Sequence, residues 1–97
     1  MVEPKERIRN LTNLLLFHRY LYYVLAESII LDYEYDMLEK DLVQLETEYP
    51  EFKRPDSPSD TIGADMASAY NGTVRAMVDE YLLTGEMGLD IHTGDEI

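Results

Sequence analysis

The stretch RYLYYVLAESIILDYEYD, residues 19–36, carries five of the eight tyrosines of the chain and two aspartates, Asp32 and Asp36, placed four residues apart. If Asp32 begins a helix, Asp36 lies one turn further along the same face, with Tyr35 beside it. Each end of the stretch adjoins an apolar pattern of helical period, which indicates a bend between two helical segments. The stretch therefore predicts two helices that meet at this bend.

Apolar spacing and proline define the two helices. Residues 4–25 carry an uninterrupted apolar stripe that begins at Pro4, a residue type favoured in the first helical turn. A second helix is predicted over residues 32–49, with Asp32 as its N-cap, and Pro50 ends it because a residue before proline is disfavoured in helical geometry. Helices joined by a short loop bury their stripes by lying antiparallel, so the sequence predicts an antiparallel helical hairpin.

A loop with two prolines follows the hairpin. A third apolar stripe predicts a C-terminal helix over residues 66–84, with Gly85 as its stop. Residues 86–97 are acidic and predict a tail that is ordered only if something holds it. The predicted class is all-α, in one compact domain that comprises the hairpin with its proline-rich loop (residues 1–63) and a helical extension (residues 64–97).

The composition excludes several classes of function. With 8 basic and 20 acidic residues the formal net charge is −12, whereas binding to a phosphate backbone requires clustered Lys and Arg, so we expect no direct nucleic-acid contact. An acidic surface keeps a small protein soluble and also suits a basic partner protein. The chain has no cysteine, which excludes disulfides and thiolate metal sites. No apolar run is long enough for a membrane span and no signal peptide is visible, so we expect a cytoplasmic protein.

Tyrosine rings among carboxylates suit a flat ligand that is partly cationic and carries hydroxyl or amide donors. The rings stack on the face of such a ligand, and the carboxylates accept its N–H and O–H groups. The hairpin brings the end of the first helix next to the start of the second, so the tyrosines and aspartates of the two ends are expected to form one site. The structural alternative makes the tyrosines core residues with a polar tip and Asp32 only a helix cap.

Four segments stand in order along the chain: YLYYVL at 20–25, DYEYDML at 32–38, LVQLE at 42–46 followed by Tyr49-Pro50-Glu51, and PDSPS at 55–59. With these segments, residues 7–63 resemble the N-terminal Ia domain of NAD-dependent DNA ligases. In that family the domain is a helical hairpin that captures the nicotinamide mononucleotide half of NAD and presents it to a separate nucleotidyltransferase domain. The resemblance thus implies a function in DNA replication or repair.

The resemblance also implies a nicotinamide site with no catalytic residue and no metal ligand of its own. Its expected lining is Tyr22, Tyr23, Asp32, Tyr35 and Asp36. Arg19, three and four residues before the two tyrosines of the first helix, is placed to reach the nucleotide phosphate; the other source of a cation is a partner protein.

The chain departs from the family in one important respect. Its lysines, Lys5, Lys40 and Lys53, do not stand in the Lys-x-Asp-Gly motif of the family's nucleotidyltransferase domain, so we do not expect a complete enzyme. One hypothesis is a module that acts in trans with a separate nucleotidyltransferase or ligase chain during ligase self-adenylation. A second is an acidic regulatory protein that docks on a ligase or mimics DNA toward a basic partner. A third is a helical protein that keeps the hairpin for stability alone.

Overall fold

The computed structural model describes residues 3–54, 57–58, 72–85 and 90–95. Within these ranges the chain forms three α-helices and no strand, which confirms the predicted all-α class. The helices are α1 (Pro4–Tyr23), α2 (Asp32–Glu48) and α3 (Gly72–Thr84), and a short 3₁₀ turn follows α2 at Pro50–Phe52. The first two helices match their predicted ranges to within two residues. The predicted third helix is present from Gly72 onward, and residues 66–71 lie outside the described ranges.

Helix α1 is the centre of the fold. Four consecutive side chains, those of residues 14–17, are fully buried, which a helix with a single apolar stripe would not show. Their burial follows because α1 packs against α2 and also against α3. Val74 and Val78 of α3 are buried in the same core, and the ring of Tyr81 meets that of Phe17 edge to face at 5.8 Å between centroids.

The first two helices run in opposite directions, as predicted for a hairpin. Arg19, near the end of α1, bonds to Tyr35 and lies 3.5 Å from Glu39, both early in α2. Arg7, near the start of α1, instead lies 4.0 Å from Asp41, further along α2. The segment that joins the helices, residues 24–31, makes its turn through Ala26, which has a positive φ of 55°.

The start of α2 differs from the sequence-based expectation. The prediction that Asp32 is the N-cap is wrong, because Leu31 holds that position in extended geometry and Asp32 is the first helical residue. The backbone N–H of Leu31 donates to Glu34 Oε1 at 3.1 Å, so Glu34 performs the capping. This bond also lowers the pKa of the Glu34 carboxyl, with a further contribution from His92. The Asp32 carboxylate is therefore not needed as a cap.

The segments after α2 fold back on the hairpin. The Ser57 hydroxyl donates to the buried carboxylate of Glu46 in α2, and the Pro58 carbonyl accepts from Arg19 at 3.2 Å. After α3, Gly85 stops the helix as predicted. It has a φ of +75°, and its backbone N–H donates to the Tyr81 carbonyl oxygen at 2.8 Å. Residues 90–95 of the predicted tail are held against α1 and α2 by groups of this chain. None of the described helices is both long enough and apolar enough to span a membrane.

Candidate functional site

A cleft of about 430 Å³ opens where the end of α1, the joining segment and the start of α2 meet. All six side chains predicted for the site line this one cleft. Its wall consists of His18, Arg19, Tyr22, Tyr23, Ser28, Ile29, Ile30, Asp32, Tyr35 and Asp36. The structure therefore brings together the two pieces of sequence that the bend was expected to join.

The aromatic wall comes from the last turn of α1. The rings of Tyr22 and Tyr23 meet edge to face, with centroids 5.0 Å apart and planes at 84°. They remain 58% and 48% exposed, so neither is a core residue with only a polar tip. Ring faces held at right angles at the mouth of a cleft can stack against a flat ligand from two directions.

The acidic wall comes from the first turn of α2. Asp32 and Asp36 are exposed and four residues apart, which places both carboxyl groups on the cleft side of the helix. Carboxylate oxygens at this position can accept N–H and O–H groups from a ligand and attract a positively charged ring.

Tyr35 and Arg19 join the two walls. Arg19 Nε donates to the Tyr35 hydroxyl, and the guanidinium carbon lies 5.9 Å from the centre of the Tyr35 ring. Burial raises the pKa of Tyr35 to about 12 in spite of the Arg19 contact, so its hydroxyl stays neutral and keeps a proton to donate. The Arg19 side chain is only 11% exposed and also contacts Glu39 and the Pro58 carbonyl.

His18 and the joining segment complete the cleft, and the sequence-based reasoning did not assign them to the site. Burial lowers the pKa of His18 to about 4, so the ring is neutral, and its Nε2 lies 3.2 Å from the Ile91 carbonyl, to which it donates. Ser28, Ile29 and Ile30 supply one side of the cleft. The apolar run at residues 29–31, unusual for an exposed connection, was the available signal that this segment contributes a wall.

The comparison with known proteins agrees with this geometry. Residues 1–63 match the family model described as the DNA ligase-like, N-terminal NAD+-binding domain. The chain belongs to this family. The resemblance to NAD-dependent DNA ligases is thereby confirmed, and every residue that lines the cleft falls inside the part that matches the NAD+-binding domain.

Curated relatives are DNA ligases. The chain is 52% identical over 64 residues to a DNA ligase of Thermoanaerobacter sp. (strain X514), covering 66% of this chain and 10% of that protein. It is 51% identical over 67 residues to a DNA ligase of Petrotoga mobilis, which covers 69% of this chain and 10% of that protein. It is 46% identical over 70 residues to a DNA ligase of Caldicellulosiruptor saccharolyticus, which covers 72% of this chain and 10% of that protein. The chain thus matches about a tenth of the length of these ligases.

The described residues do not meet the requirements of a metal site. Across residues 3–54, 57–58, 72–85 and 90–95, no three His, Asp or Glu side chains come together in a way that could hold a metal ion. The groups that the cleft itself presents are aromatic faces, carboxylates, a guanidinium and an imidazole.

Proposed function

We propose that the cleft binds the nicotinamide mononucleotide half of NAD and that the chain acts in trans with a separate adenylation-domain chain during ligase self-adenylation. The observation that carries this proposal is the joining of Tyr22 and Tyr23 to Asp32, Tyr35 and Asp36 in one open cleft. Membership of a family described as NAD+-binding supports the choice of cofactor. On this proposal residues 1–63 form the cofactor-binding hairpin, and residues 64–97 are an extension of the same domain.

The chemistry of the cleft suits a pyridinium nucleotide. The cationic nicotinamide ring gains from contact with the face of Tyr22 or Tyr23. Its carboxamide N–H groups and the ribose hydroxyls donate to the carboxylates of Asp32 and Asp36. The cleft volume of about 430 Å³ lies within the range of small-molecule sites, roughly 300–1,000 Å³.

In this reaction the chain acts by positioning. A lysine of the partner chain attacks the adenylyl phosphorus of NAD, and nicotinamide mononucleotide leaves. Lys5, Lys40 and Lys53 stand outside the Lys-x-Asp-Gly motif, and on this proposal the nucleophile belongs to the partner chain. Holding the leaving group in line with that lysine raises the rate, because a misplacement of about 1 Å costs on the order of a hundredfold.

Arg19 contributes mainly by holding Tyr35. Its guanidinium bonds to the Tyr35 hydroxyl and the Pro58 carbonyl and lies 3.5 Å from the Glu39 carboxylate. A guanidinium engaged in this way is partly neutralised before any ligand arrives. A contact between Arg19 and the nucleotide phosphate stays a prediction, and we expect the partner chain to supply the main cation.

The test is adenylation in trans. A nucleotidyltransferase chain that lacks its own hairpin is mixed with this protein and NAD, and formation of the lysine–adenylate is followed by mass spectrometry. Asp36→Asn removes a cleft carboxylate, while Asp79→Asn removes an equivalent exposed charge from α3 and serves as the matched control. We expect the wild type and the control to accelerate adenylation and Asp36→Asn to lose about tenfold or more. Adenylation no faster than with the nucleotidyltransferase alone overturns the proposal.

The net charge of −12 favours a second candidate, an acidic regulatory protein that docks on a ligase or mimics DNA toward a basic partner. Association by charge weakens steeply with salt and does not need the aromatic wall. A salt-sensitive complex with a basic partner that survives Tyr22→Ala, together with no binding of nicotinamide mononucleotide, supports this second candidate.

A further inference from the structure

Residues 90–95 form a tight turn, here called the C-terminal turn, that closes on its own hydrogen bonds. The Asp90 carboxylate accepts the N–H of His92 at 2.7 Å and of Thr93 at 3.1 Å. The N–H of Asp90 donates to the Asp95 carbonyl at 2.9 Å, and that of Gly94 donates to the Asp90 carbonyl at 2.9 Å. These hydrogen bonds fix the shape of the C-terminal turn, so the position of one of its ends determines the position of the other.

One end of the C-terminal turn is fastened to the first half of α1. Arg7 Nη1 donates to Asp95 Oδ1 at 2.8 Å and also to the Thr93 carbonyl. Gly94 has a φ of +77° and is buried directly on α1, where an added Cβ would stand 3.2 Å from Leu11 Cδ2. The positive φ favours glycine, and the close packing on Leu11 anchors the turn at a distance along α1 from the cleft.

The other end of the C-terminal turn contacts α1 at the cleft and α2 beside it. The Ile91 carbonyl accepts from Nε2 of His18, a residue of the cleft lining, at 3.2 Å. The next residue, His92, donates from Nδ1 to Glu34 Oε2. Glu34 sits in the first turn of α2 between Asp32 and Asp36, and its other oxygen holds the Leu31 N–H. The C-terminal turn therefore connects α1 to the first helical turn of α2, which carries the acidic wall.

We propose that the C-terminal turn braces the cleft, with His92 as a positioning residue that fixes the acidic wall relative to the aromatic wall. The importance of this brace for ligand binding rests on the proposed function. The C-terminal turn lies beyond residues 1–63, the part that matches the NAD+-binding domain, so the brace is a feature of this chain's extension. Because the His92 side chain is half exposed, its bond to Glu34 contributes little to global stability. Its effect is on the geometry of the cleft.

The test uses His92→Ala, which removes the donor to Glu34 and leaves the Arg7, His18 and Gly94 contacts in place. His92→Asn keeps an N–H donor near the position of Nδ1 and is expected to restore the wild-type behaviour. Leu83→Ala, at a side chain that is 86% exposed on α3, is the matched control. The first measurement is amide hydrogen exchange without ligand. We expect exchange to accelerate by about tenfold in His92→Ala at the amides of Leu31, Tyr35 and Asp36, the first ones at the start of α2 that are hydrogen-bonded, with the rest of α1 and α2 unchanged.

The second measurement is the affinity for nicotinamide mononucleotide, followed by calorimetry. We expect His92→Ala to weaken binding by about fivefold to tenfold, with recovery in His92→Asn. If the wild-type protein does not bind the mononucleotide at all, the proposed function fails, and hydrogen exchange alone then decides whether the brace exists. Unchanged exchange at the amides of Leu31, Tyr35 and Asp36 overturns the brace, as does faster exchange spread evenly over both helices. Faster local exchange with unchanged affinity in a protein that binds overturns the positioning role of His92.

Discussion

Acidification from pH 6.5 towards pH 4 is expected to destabilise the protein through His18. Burial beside the core lowers the pKa of His18 from 6.5 to about 4 in the folded protein. In the unfolded chain the imidazole regains its ordinary pKa, so between pH 6.5 and about 4 the unfolded state binds more protons. The stability associated with neutral His18 is therefore fully present above pH 6.5 and is lost as the pH falls towards 4.

The size of this loss follows from the two pKa values. The difference between 6.5 and about 4 corresponds to about 3 kcal/mol of unfolding free energy at full protonation. Such a loss is a large part of the stability of a small domain, roughly 5–15 kcal/mol. Urea unfolding followed by far-UV circular dichroism, repeated from pH 7.5 to pH 4, measures it directly.

His18→Gln separates this effect from other acid-sensitive groups. The glutamine amide can donate to the Ile91 carbonyl in place of Nε2 and does not titrate, while the carboxyl groups, including Glu34 with its lowered pKa, are common to both proteins. We expect the wild type to lose about 3 kcal/mol more than the variant over this pH range. Stability curves that stay parallel down to pH 4 would refute the assignment of a buried, neutral His18.

Three further outcomes are expected. Gly94→Ala places a side chain at a positive φ of 77° and against Leu11, and should lower the free energy of unfolding by about 1–2 kcal/mol. Thermal unfolding measures this loss, and an unchanged midpoint contradicts the packing of the C-terminal turn. Ser57→Ala removes the hydroxyl that donates to buried Glu46 and should cost about 1–3 kcal/mol in urea unfolding; a cost near zero would argue against this contact. Because Arg19 already lies against an acidic partner, nicotinamide riboside should bind within about threefold of the mononucleotide in a competition titration. A tenfold preference for the mononucleotide would contradict this expectation.

The sequence was sufficient for the hairpin and for six of the ten residues that line the cleft. Apolar spacing and Pro50 placed the ends of α1 and α2 within two residues, because long periodic stripes bounded by proline leave few alternatives. Antiparallel packing then brought the residues near 22 and near 35 to one end of the hairpin. The gathering of the six predicted side chains follows from that topology, and their role in binding stays a prediction.

Other features depend on contacts between distant residues and had no local signal. The N-cap could not be assigned correctly, because Asp32 is a better capping residue than Leu31 by type, and the choice depends on Glu34 reaching back to the Leu31 N–H. The order in residues 90–95 depends on Arg7 and His18, more than seventy residues away along the chain. From its composition alone, such an acidic segment is predicted to be a tail.

The central claim is that rings and carboxyl groups from both sides of the bend form one site for a pyridinium nucleotide. Two-dimensional NMR of the aromatic and amide signals during titration with nicotinamide mononucleotide tests it most directly. We expect saturable shifts confined to the rings of Tyr22, Tyr23 and Tyr35 and to the amides of residues 32–36, and their loss in Asp36→Asn. The absence of saturable shifts at these positions up to about 10 mM ligand, an affinity weaker than about −3 kcal/mol, would contradict the claim.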